Sequence, residues 1–63
     1  MDLPATAPGT VTFAGERGRY GNMIEIDHGY GLFTRHGHLS EIFVDVGEPV
    51  THGQVIAIMG NSG

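Results

Sequence analysis

The sequence contains no cysteine, so no disulfide can staple it. It contains no lysine either, and its basic side chains other than histidine are Arg17, Arg19 and Arg35 alone. The net charge is −4 with histidine neutral. Neutralising a row of phosphates needs a basic stripe. Nucleic-acid binding is therefore excluded, and the same lack argues against docking on an anionic membrane. No apolar run approaches the roughly 20 residues that a bilayer-spanning helix needs, so no membrane insertion is expected in this segment. Met1-Asp2-Leu3-Pro4 has neither the basic start nor the apolar stretch of a signal peptide. No apolar stripe of period 3.6 is long enough to specify a helix.

What is present is a short chain punctuated by glycine. At 63 residues it buries only about 60% of the surface its unfolded form exposes, which makes a lone core marginal. Without disulfides, such a fold needs a metal, a partner, or the remainder of a larger domain. Eleven glycines divide the sequence into alternating runs. Thr10–Ala14, Asn22–Asp27, Leu32–Leu39, Ile42–Val46 and Gln54–Met59 are rich in Val, Ile, Thr and Phe and bounded by Gly, Asn and Pro, the pattern of strands. In the second run Ile24 and Ile26 share one face. In the last, apolar side chains fall on both faces, as in a strand covered on both sides. His28-Gly29-Tyr30-Gly31 reads as a tight connection in which glycine supplies positive φ. The fold class expected is all-β, an antiparallel sheet of about five short strands. Open edges of such a sheet invite pairing with another chain, and self-association through them is the expectation for an isolated piece.

Four histidines carry the candidate chemistry. His36 and His38 are two apart on an expected strand, so alternation places both imidazoles on one face. Zinc takes three or four N, O or S donors, so this pair alone is incomplete, and hydrogen-bonded histidine is the commoner role of an isolated H-x-H. Asp27-His28 reads as a turn or capping pair, and His52 as a solvated turn residue. Glu41, Asp45 and Glu48 are spread over a strand and a turn, with no sign of the convergence that acid–base work requires. Gly15, Gly18 and Gly21 form a loop; no helix follows it to hold a phosphate at an N-terminus.

The ordered set of segments resembles a known family. Ala7-Pro8-Gly9-Thr10-Val11-Thr12-Phe13-Ala14-Gly15 is similar to the start of the core of lysostaphin-type (LytM-like) zinc metalloendopeptidases. Tyr20-Gly21-Asn22-Met23-Ile24-Glu25-Ile26-Asp27-His28-Gly29 resembles that family's next strand. Thr34-Arg35-His36-Gly37-His38-Leu39-Ser40 resembles its T-x-Y-x-H-L-S. Val46 to Ile56 resembles V-x-x-G-D-x-V-x-x-G-Q-x-I, and Gly60-Asn61-Ser62-Gly63 matches the G-x-[ST]-G that follows. The resemblance implies a peptidase β-fold related to the barrel-sandwich hybrid. Residues 5–63 would form the central part of that domain, lacking both metal-ligand motifs, and residues 1–4 an N-terminal tail or an added start.

By that resemblance the parent protein hydrolyses peptide bonds of bacterial peptidoglycan, outside the cytoplasm. Zinc in the family is held by an upstream H-x-x-x-D and by the second histidine of a downstream H-x-H; it activates water and polarises the scissile carbonyl. The histidine of T-x-Y-x-H-L-S falls on His38, which would act as general base or stabilise the oxyanion. His36 stands where a tyrosine is usual. The order of segments argues against His36-Gly37-His38 being the downstream metal pair, because the hairpin and the Gln54-Val55-Ile56 strand come after it. The metal motifs are absent from this stretch, so it is expected to bind no zinc alone and to be inactive as an isolated piece. The alternative is a non-catalytic relative that binds or activates other wall hydrolases. A biotinyl- or lipoyl-type carrier shares the glycine-punctuated hairpins, but a carrier needs a lysine at its turn tip and the chain has none.

Overall fold

A computed structural model of the chain describes residues 1–60. The resemblance of Asn61-Ser62-Gly63 to the end of G-x-[ST]-G lies outside the described residues. The elements are β1 (Asp2–Pro4), β2 (Gly9–Glu16), a 3-10 turn (Gly18–Tyr20), β3 (Asn22–Asp27), β4 (Phe33–Ile42), β5 (Pro49–Val50) and β6 (Val55–Met59). They form one six-stranded antiparallel sheet in the order β1-β6-β4-β3-β2-β5.

The centre is the meander β2-β3-β4. Its β3–β4 connection turns at Gly29, Tyr30 and Gly31, all three with positive φ (88°, 53° and 75°). Asp27 Oδ1 accepts the Gly29 N–H at 2.8 Å, and His28 N–H donates to Leu32 O at 2.8 Å. Glycine on both sides of Tyr30 leaves one L-residue in the left-handed region instead of three.

One cluster forms the core: Ala5, Val11, Ile24, Ile26, Leu39, Val44, Val50, Ile56 and Ala57, with Leu3, Ala14 and Ile42 packed against it. These residues come from both ends of the strand order. Bringing them together requires the sheet to curl around one face, giving a half-barrel. Ile24 and Ile26 are both 0% exposed, as their shared face requires, and burying each such side chain contributes about 1.5–3 kcal/mol. Consecutive Ile56 and Ala57 on β6 are also fully buried, so the middle of that strand is covered on both faces.

Four of the five expected strands coincide with β2, β3, β4 and β6. The fifth, Ile42–Val46, does not form. Ile42 ends β4, and Val44 drops into the core as a single residue. Phe43 N–H donates to Ile56 O (2.9 Å), and a turn closes with Glu48 N–H on Asp45 O (3.1 Å) and Gly47 N–H on Val11 O (2.7 Å). The backbone there is satisfied by scattered partners, which hydropathy alternation cannot distinguish from a ladder.

Two short strands went unseen. Residues 1–4 were expected to lie ahead of the domain; Asp2–Pro4 instead pairs with β6, Asp2 opposite Ile58 and Leu3 opposite Ala57. β5 is Pro49–Val50 alone, opposite Gly9 and Thr10. Each is too short to show a period of two and each contains a proline, which reads as a breaker. At a sheet edge the missing N–H costs no ladder bond. These lengths and prolines also blunt the edges, which leaves a second copy of the chain little to pair with.

β2 carries a bulge. Val11 opposes Ile26 and Phe13 opposes Glu25, so Thr12 is the extra residue. Beyond it the alternation changes phase: Ala14, not Phe13, packs with Val11 on the core. Phe13 instead lies under the Arg17 guanidinium, 5.1 Å from the ring centre. Thr12 Oγ1 donates to Glu25 Oε1 at 2.9 Å, and Arg35 Nε donates to Glu25 Oε2. The Arg35 and Thr12 hydrogen bonds hold the Glu25 carboxyl below its ordinary 4.5.

Candidate active site

β4 divides at Gly37. From Phe33 to His36 it pairs with β3 residue for residue: Phe33 with Asp27, Thr34 with Ile26, Arg35 with Glu25, His36 with Ile24. The next pair is Leu39 with Asn22, three residues on along β4 but only two back along β3. On its other side β4 shifts again, because Leu39 opposes Met59 while Glu41 opposes Ile58. His38 sits inside the first of these irregularities with a left-handed backbone, φ 57°, uncommon for any residue other than glycine.

The bulge overturns one expectation. Regular alternation would set His36 and His38 on the same face. The extra residue gives the buried position after His36 to Leu39, and His38 is exposed. The two imidazoles are therefore not a pair offered together to one ion.

Three features fix the bulge. Gly60 N–H donates to His38 O at 3.0 Å, and a Cβ on Gly60 would lie 2.6 Å from that same oxygen. Asn22 Nδ2 donates to Leu39 O at 3.2 Å. Gly37 faces Tyr20, where a Cβ would stand 3.1 Å from Tyr20 O and 3.2 Å from its Cδ1. Tyr20, Asn22 and Gly60 were read from the sequence only as parts of motifs. The signal that could have found them is their glycine-rich surroundings at the two points where neighbouring strands meet β4.

The other histidines divide by use. His28, expected to be a turn residue, is a cross-brace. Its Nδ1 lies 2.8 Å from Pro8 O and its Nε2 lies 2.8 Å from Thr34 Oγ1. A carbonyl only accepts, so Nδ1 carries the proton; in the neutral ring Nε2 accepts the Thr34 hydroxyl. His36 is half-buried, and its Nε2 is inaccessible without a hydrogen-bond partner among the described residues. Burial, then the positive charge His28 can carry, hold its pKa below the ordinary 6.5. His52 is exposed in its turn, as expected.

Among the described residues no three His, Cys, Asp or Glu side chains converge as metal donors. His28 has both nitrogens engaged, and His36 offers one unpartnered nitrogen. The donors present do not fit a zinc ion by themselves. Among the described residues no helix is long and apolar enough to cross a membrane.

Comparison with known proteins agrees with this geometry. The sequence profile of peptidase family M23 matches residues 2–63, and the chain belongs to that family, the LytM type. It is 41% identical over 59 residues to the DD-carboxypeptidase/endopeptidase Mpg of Neisseria meningitidis, covering 94% of this chain and 14% of that protein. It is 36% identical over 62 residues to the murein hydrolase activator EnvC of Escherichia coli, covering 98% of this chain and 15% of that protein. A crystal structure from Pseudomonas aeruginosa, described as an M23 peptidase, superposes with a TM-score of 0.93 at 33% identity. It covers all of this chain and 28% of the other. The chain thus spans about one-seventh of the length of these curated relatives.

Proposed function

We propose that the chain is the β-scaffold of a zinc-dependent endopeptidase that cleaves peptide bonds of bacterial peptidoglycan outside the cytoplasm, and that His38 is its catalytic histidine. The matched stretch, residues 2–63, is the central part of the peptidase domain in this reading. The observation that carries it is the placement of His38: the histidine of the T-x-Y-x-H-L-S resemblance stands exposed on a clamped bulge, while His28 is bound into the scaffold. An exposed imidazole with no partner among the described residues has a nitrogen free to accept a proton from attacking water or to donate a hydrogen bond to a developing oxyanion. The zinc donors belong, by resemblance, to motifs flanking the matched stretch; none of the steps assigned to His38 depends on a donor within it. The 63-residue piece alone is inactive in this reading.

A second reading has one observation behind it, the similarity to a protein named as a murein hydrolase activator. Incubating the full-length protein with purified peptidoglycan, with and without a separate murein hydrolase, separates the two. New peptide termini produced by the protein alone, identified by mass spectrometry, support the endopeptidase. Release only when the second hydrolase is present supports the activator and overturns the catalytic assignment.

A further inference from the structure

We propose that Asn22 and Gly60 are positioning residues for His38, clamping the bulge of β4 from opposite sides. The inference rests on the catalytic reading of His38 given above. β4 lies between β3 and β6 in the sheet. Asn22 opens β3 and reaches Leu39 O through its side-chain amide at 3.2 Å. Gly60 follows β6 and reaches His38 O through its backbone N–H at 3.0 Å. The two consecutive carbonyls of His38 and Leu39 are thus held by donors from opposite sides of β4.

That arrangement explains a conformation which β4 alone does not require. Tyr30, the other non-glycine residue with positive φ among those described, stands at a turn tip between two glycines, where turn geometry demands it. His38 lies within a strand, and a left-handed residue persists there only where its surroundings over-determine it. The Gly60 position cannot accept a Cβ, which would approach His38 O to 2.6 Å. Gly37 closes the third side against Tyr20. With the bulge held, Leu39 is buried and His38 is exposed; with it relaxed into regular alternation, His38 would take the inward position after His36.

The test uses the full-length protein, a cross-linked peptidoglycan peptide as substrate, and NMR of the histidine ring protons. Asn22→Ala and Gly60→Ala are expected to lower kcat, by about tenfold for loss of one clamp and up to about 100-fold where the imidazole shifts by an ångström. KM should stay within about twofold. The His38 ring resonance should move in both variants while that of His28 stays in place. If Gly60→Ala fails to fold, Asn22→Ala decides by the same two readouts. Wild-type kcat with an unmoved His38 resonance, in a protein where His38→Ala is inactive, overturns the positioning role alone. Wild-type cleavage by His38→Ala overturns the catalytic reading beneath it, and the resonance then still reports whether the clamp holds the ring.

Discussion

The two halves of β4 behave differently. Phe33–His36 runs in step with β3. Its inward side chains join a half-buried polar brace, Thr34 to His28, beside the apolar floor of Ile24 and Ile26. Beyond Gly37 the strand slips against both neighbours and carries a left-handed histidine. The regular half is bound into the scaffold, where each polar group is assigned to another or sealed off. The irregular half presents a side chain that the scaffold does not consume. The catalytic role proposed for His38 needs that second environment, and the regular half supplies the rigidity against which the irregular one is clamped.

The contrast can be broken most severely from the regular side. Ile24→Ala removes a fully buried side chain from the floor of the sheet and is expected to cost about 2–5 kcal/mol, read from the urea midpoint at constant m-value. His28→Ala removes the hydrogen bonds to Pro8 O and the Thr34 hydroxyl, which water can in part replace, and should cost about 0.5–1.5 kcal/mol in the same assay. Both should lower activity only in proportion to the fraction unfolded, unlike changes at the bulge.

A smaller effect is the response to acid. His36 has its pKa depressed by burial, so the folded state binds fewer protons than the unfolded state in the window below the ordinary 6.5. Stability therefore rises with pH there, and the contribution of neutral His36 is lost as pH falls from about 6.5 through the lower folded-state pKa. His36→Phe should flatten the acid limb of a stability–pH profile over that window. An unchanged slope would show that His36 is not its source.

The smallest effect belongs to the exposed ladder. Glu25 has its carboxyl lowered first by the Arg35 hydrogen bond. That contribution is present above the ordinary carboxylate value and lost as pH falls through the depressed one, well below the His36 window. Arg35→Ala should lower stability only slightly at neutral pH, since exposed pairs are screened and weak, and by less in acid, where the contribution is already being lost. Thermal melts at pH 7 and at pH 3.5 separate the two regimes.

The regular half was legible from the amino acids because its rules are local. Ile24 and Ile26 share a face, and Gly29 with Gly31 marks the turn at Tyr30. The motif around His38 is what singles it out as a candidate, and alternation placed it wrongly beside His36. Bulges at Thr12 and Gly37–His38 shift the phase by one residue, and a period-two reading cannot see an insertion that a neighbouring strand imposes. The clamp was hidden for a related reason: Asn22 and Gly60 are distant in sequence from His38 and meet it only through the strand order. β1 and β5 were missed because three and two residues carry too little pattern, and their prolines mark edges as readily as breaks.

The measurement closest to the central claim is zinc binding and peptide cleavage by the full-length protein and its His38→Ala variant, compared in one buffer. The account predicts that the variant loses cleavage by at least about 100-fold while its zinc affinity and stoichiometry, by calorimetry, match the unaltered protein. Loss of zinc together with cleavage would make His38 a metal ligand, and retention of full cleavage would leave it without a catalytic role; either result contradicts the assignment.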